Sequence, residues 1–178
     1  MRRSLNAQAC RRCGFSLLEL LVVLAILSIL LTQAVPAVSQ RLVDLRLQAT
    51  ARDLYAVVMF ARLLSQRNAN TIIFCPNAGG SALCPHLASG SDENPDVTIR
   101  NAEGKVLKTL FLRDGVTLRN RAGTQGITLP LVWGADGLGS RNATLSVCSP
   151  RYPDLNWSLV INRIGRPRLV RGWGRCSM

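Results

Sequence analysis

Gly14-Phe15-Ser16-Leu17-Leu18-Glu19 sets a small residue, an aromatic and a lone carboxylate at the mouth of an apolar run. Cutting the chain after Gly14 would leave a free amine on Phe15, one helical turn from the Glu19 carboxylate. Such an amine is the nearest chemical partner for that acid. A carboxylate in the apolar end of a membrane helix costs about 2.5–3.5 kcal/mol on insertion scales, so it calls for neutralisation. The pair can close within one chain or between neighbouring chains, and only the second arrangement makes the segment a self-assembly device. After Glu19 no charged side chain occurs from Leu20 to Gln40. At about 1.5 Å per residue, a helix of that length crosses a hydrocarbon core of roughly 30 Å.

Two other readings compete for the same segment. A secretory signal peptide ends in a small-x-small cleavage site, for which Val35-Pro36-Ala37 is a poor match. An ordinary single-pass anchor has the hydropathy alone in its support. The leader Met1 to Gly14, with Arg2, Arg3, Arg11 and Arg12, is the expected cytoplasmic side, although Arg41, Arg46 and Arg52 follow the span closely.

The leader and the run that follows it resemble the processing site of type IV pilins and type II secretion pseudopilins. Pro36 matches a position where that superfamily often carries proline. The resemblance implies cleavage after Gly14 by a prepilin peptidase, methylation of Phe15, and an assembly role for Glu19 and Pro36. It also implies other pilin subunits and the inner membrane as partners, with the remaining chain in the periplasm and assembled into a pilus or pseudopilus.

The formal charge is +12, of which the leader supplies four positive charges, leaving +8 on the other 164 residues. About 130–140 of these lie beyond the apolar run, enough for one domain with its own core. The excess of cations suits a negatively charged partner. Leu47, Ala51, Leu54, Val58 and Ala61 recur at helical spacing, so the helix should continue from Phe15 to about Arg67, roughly 80 Å in all. Pro36 lacks an amide hydrogen and should kink or loosen it, or be tolerated as a membrane proline.

Beyond Asn70 the period changes to short β-prone runs: 71–75, 97–100, 105–113, 116–119, 127–133, 143–148, 157–162 and 168–171. Asp114-Gly115 between two such runs reads as a two-residue hairpin. The expected class is α+β, one long N-terminal helix packed on an antiparallel sheet or two packed sheets. The expected segments are a leader (1–14), a membrane and assembly helix (15–40), its amphipathic continuation (41–70) and a β-rich domain with a basic tail (71–178).

Cys10 and Cys13 would leave with the leader. Cys75, Cys84, Cys148 and Cys176 favour two disulfides in an oxidising compartment, Cys75 with Cys84 by proximity and Cys148 with Cys176 as the remainder. His86 beside Cys84 lacks paired Cys-x-x-Cys hooks for zinc, and Asp92, Glu93 and Asp96 sit in a Gly/Ser/Asn/Pro-rich stretch that reads as a solvated loop. No metal or cofactor is expected. His86 is the only histidine, no nucleophile elbow or phosphate loop occurs, and the chain reads as a structural or binding protein rather than an enzyme.

Arg163, Arg166, Arg168, Arg171 and Arg175 fall within 13 residues without an acidic side chain. Guanidinium forks suit phosphate oxygens, and Trp173 could stack on a base or on a guanidinium. In a strand, Arg166 and Arg168 share one face. An edge hairpin kept soluble by arginine accounts for the same residues without any ligand. Gly165-Arg166-Pro167-Arg168 is similar to the Gly-Arg-x-Arg motif of the GspH/FimT group of minor pilins, and Trp133 to Gly137 with Val147-Cys148 resembles the region preceding it there. This likeness implies DNA binding for uptake through Arg166 and Arg168, to which Arg163 and Arg171 are added by charge. The alternative within the group is a GspH-like pseudopilin that binds no DNA.

Overall fold

The computed structural model describes residues 16–76, 83–84 and 95–176. Gly14, Phe15, His86, Asp92 and Glu93 lie outside the described residues. Ser16 begins the described chain as a helix cap, its Oγ accepting from the Leu18 N–H at 3.2 Å. Helix α1 then runs from Leu17 to Asn68, continuous through Pro36. The chain divides into two compact units, with the boundary between Ser39 and Gln40.

In the first unit the helix carries large apolar side chains that are about half exposed or more, among them Leu20, Leu24, Ile29 and Val35. Its few hydroxyls turn inward on the helix: Ser28, Thr32 and Ser39 donate to carbonyls three residues back at 2.7–2.8 Å. No polar group is thus left to face lipid unsatisfied at those positions. The segment is long and apolar enough to cross a membrane.

In the second unit the helix buries Leu47, Thr50, Ala51, Leu54, Val57, Val58, Ala61 and Ser65, one face at steps of three and four. Two four-stranded antiparallel sheets follow. The first joins β1 (Ile72–Pro76), β2 (Val97–Asn101), β3 (Val106–Leu110) and β5 (Leu131–Trp133) in the order β3-β2-β1-β5. The second joins β4 (Thr117–Arg119), β6 (Ala143–Cys148), β7 (Asn156–Ile161) and β8 (Pro167–Arg171) in the order β4-β6-β7-β8. Ile72, Phe74, Val97, Ile99, Leu131 and Trp133 of one sheet and Leu145, Val147, Leu159 and Ile161 of the other meet the helix face in a single core.

Asp114-Gly115 does turn, with Gly115 at φ 71° and the Val116 N–H bonded to the Arg113 carbonyl at 3.0 Å. It does not make the expected hairpin, because β3 pairs with β2 while β4 pairs with β6. The turn carries the chain from one sheet to the other. A dipeptide specifies the local bend but not the neighbour that the next strand finds. The long runs at 105–113 and 127–133 shorten likewise to five and three strand residues.

Three turns share one construction. In Asn101-Ala102-Glu103-Gly104, Asn120-Arg121-Ala122-Gly123 and Asn162-Arg163-Ile164-Gly165, the glycine N–H bonds to the asparagine carbonyl at 2.8–3.0 Å. The asparagine Oδ1 accepts from the N–H of the residue after the glycine at 2.8–3.1 Å. Each glycine adopts positive φ, as a three-residue β-turn loop requires.

Candidate nucleic-acid interface

Strand register decides which arginines face outward. Opposed residues in an antiparallel pair share a face. Leu145, Leu159 and Leu169 are opposed and point into the core, so Thr144, Val160 and Arg168 form an outer row. Arg119, Ser146, Ser158 and Val170 form the next outer row. Arg166 precedes β8 and is exposed like Arg168, while Pro167 between them is buried. Asn162 and Arg163 begin the turn that delivers both, and Arg163 is exposed as well.

Arg171 departs from the expected set. Three residues beyond Arg168, it falls on the opposite face, where its guanidinium reaches Asp44 of α1 at 2.8 Å. The Trp157 indole N–H donates to the other oxygen of Asp44 at 3.1 Å. Asp44 is only 17% exposed at the side chain. Arg171 therefore ties the sheet to the helix, and its charge is spent there. A count of arginines in the tail cannot reveal this, because period two separates neighbours that a linear cluster groups together.

The segment after β8 is strapped across the outer face of the second sheet. The Gly174 N–H donates to Ser158 Oγ at 2.9 Å, and its carbonyl accepts from Asn156 Nδ2 at 2.8 Å. Gly174 sits so close to Ser146 and Ser158 that a Cβ has no room. Cys176 is joined to Cys148 of β6. The overlying strap explains why Ser146, Asn156 and Ser158 are buried on a face that an isolated strand would wet. The other disulfide, Cys75 to Cys84, covers the outer face of β1 together with Ile73 and Val132.

Arg163, Arg166 and Arg168 make no ion pair among the described residues, where the two ion pairs are Arg113–Asp53 and Arg171–Asp44. The arrangement can hold anions of extended shape, since three exposed guanidinium groups follow one another around a fixed turn. Glu19 is exposed in the first turn of α1, where a carboxylate also suits the positive end of the helix dipole. With Ser16 three residues earlier it completes the sequence pattern of a capping box. Pro36 is exposed within the helix.

Residues 10–32 match the family described as the prokaryotic N-terminal methylation motif. No curated protein matches the chain significantly. Among solved structures, the type IV minor pilin FimU of Pseudomonas aeruginosa PAO1 is similar at 19% identity, covering 74% of this chain and 95% of that one, with a TM-score of 0.52. A second crystal form of FimU aligns over all of its length at 0.51. The minor pseudopilin EpsH of the Vibrio cholerae type 2 secretion system is similar at 15% identity, covering 71% of this chain and 97% of that one, with a TM-score of 0.50. The chain thus carries the N-methylation motif of type IV pilins, and its fold is the pilin fold of FimU and EpsH.

Proposed function

We propose that this protein is a minor pilin of a type IV pilus that binds DNA without sequence preference through Arg166, Arg168 and Arg163 and serves natural transformation. A prepilin peptidase cuts after Gly14 and methylates Phe15. The apolar part of α1 anchors the product in the inner membrane with the β-rich unit in the periplasm, and the same helix packs among other pilin subunits, with Glu19 paired to a free terminus. The methylation motif and the pilin fold support the assembly part of this reading. One observation carries the DNA part: Arg166, just before the edge strand β8, and Arg168, on its outer side, are exposed and have no ion-pair partner among the described residues.

Processing is checked by intact mass after co-expression with a prepilin peptidase. The expected chain begins at Phe15 and carries one added methyl, and a product retaining Met1 would remove the assembly reading.

DNA binding is checked with the detergent-solubilised full chain and a random-sequence duplex. Each phosphate contact contributes about −0.9 to the slope of log affinity against log salt, so three arginines give a slope near −3. Changing Arg166 and Arg168 together to alanine is expected to reduce that slope by about 2 and to weaken binding at least about tenfold at 0.1 M salt. A wild-type chain without measurable duplex binding would leave the second reading, a GspH-like minor pseudopilin without a DNA partner, which the likeness to EpsH favours.

A further inference from the structure

Trp173 stands on the strapped segment and is 45% exposed. Two guanidinium groups lie over that ring, Arg168 at 5.9 Å and Arg121 at 5.3 Å from its centroid. Arg121 comes from the second Asn-x-x-Gly turn, far from the tail in sequence. It is exposed and forms no ion pair among the described residues. Its turn is fixed to the tail by the Arg175 N–H, which donates to the Arg121 carbonyl at 3.1 Å. The tail is held in turn by Asn156, Ser158 and the Cys148–Cys176 disulfide. Arg119 of β4 is on the same face, and Arg175 is exposed.

We infer that Arg121 is a DNA-contacting residue and Trp173 a positioning residue of one two-segment surface, which takes the sugar-phosphate backbone of duplex DNA. This inference rests on the DNA-binding reading above and extends it to a part of the chain outside the arginine-rich tail. Two guanidinium groups within 6 Å of the same ring lie close enough together to engage one short stretch of duplex, which presents a charge per roughly 1.7 Å of axis. The attraction of each cation to the ring holds both side chains over it without consuming their hydrogen-bond donors. The groups presented here are guanidinium donors, which suit phosphate oxygens, so the surface reads backbone charge rather than bases.

The test uses the full chain in detergent, a labelled random duplex and a single strand of equal length, titrated across salt concentrations. For Arg121→Ala the expected result is a three- to tenfold loss of duplex affinity at 0.1 M salt and a slope shallower by about 0.9. For Trp173→Ala, which removes no charge, a several-fold loss is expected, with recovery in Trp173→Phe and an unchanged melting temperature. Wild-type affinity and slope in both Arg121→Ala and Trp173→Ala, alongside lost binding in the Arg166/Arg168 double variant, would overturn this inference and leave the DNA-binding reading standing. Tenfold tighter binding of the single strand, with quenching of Trp173 fluorescence, would overturn the backbone assignment. No duplex binding by the wild-type chain would sink both readings together.

Discussion

Gly165→Ala is expected to destabilise the β-rich unit by about 2–5 kcal/mol, whereas Gly104→Ala in an equivalent turn costs only about 1–2 kcal/mol. Both glycines close an Asn-x-x-Gly turn, at φ 75° and 81° respectively. Each alanine would carry the same left-handed penalty, and the surroundings differ. A Cβ on Gly104 meets nothing within 4 Å, while one on Gly165 meets the Gly137 carbonyl oxygen at 2.7 Å and Trp133 Nε1 at 2.8 Å. Trp133 is 1% exposed and the Gly137 contact is to backbone, so neither neighbour can give way cheaply. The excess cost at Gly165 is therefore overpacking rather than backbone conformation. Urea denaturation of the two variants reads the difference, and equal midpoints would show that the Trp133 contact relaxes freely. The consequence for binding is local. Gly165 seats the turn from which Arg163, Arg166 and Arg168 emerge, so the glycine is needed for where those arginines point as well as for stability.

Removing the Cys148–Cys176 bridge by replacing both residues with serine is expected to cost about 3.6 kcal/mol by the chain-entropy relation for a separation of 28 residues. The same double change at Cys75 and Cys84, separated by 9, costs about 2.6 kcal/mol. The energies are similar, but the functional outcomes should diverge. Losing the first bridge frees Cys176 from β6 and loosens the segment that holds Trp173 and Arg175 over the sheet. Duplex affinity should fall several-fold under conditions where the domain remains folded. The second bridge covers the other sheet, and its loss should leave duplex affinity within twofold of wild type. Thermal melting and DNA titration on the two double variants separate the effects. Equal DNA affinity in both would mean that the Gly174 hydrogen bonds to Asn156 and Ser158 hold the tail by themselves.

Much of the architecture was legible because it is written in local periods. Leu47, Ala51, Leu54, Val58 and Ala61 were expected on one helical face, and all five are fully buried. The 143–148 run forms β6 within those bounds, and the 157–162 run forms β7 shifted by one residue. The cysteine pairing read from proximity is the pairing present. Thr50 is buried in α1 with its hydroxyl bonded to the Arg46 carbonyl at 3.0 Å. The hairpin at Asp114-Gly115 failed for a different reason. Pairing energy comes from the whole neighbouring strand, and β6 offers β4 a better-buried partner than the short, exposed β3 does.

The basic site divides along the same line. Residue types alone marked the tail as cationic, and alternation alone put Arg166 and Arg168 on one face. Nothing local could say that Arg171 would be drawn to Asp44 across the core, or that Arg121 would lie over the same indole as Arg168. By itself, the chain's order of residues determined the membrane-length helix, the strand-rich remainder, the turns and the charge, since each depends on neighbours within a few positions. Tertiary structure alone decided which charges are spent on holding the fold and which remain free at the surface, because that depends on strand register and sheet assignment between segments that approach one another only once the core has formed.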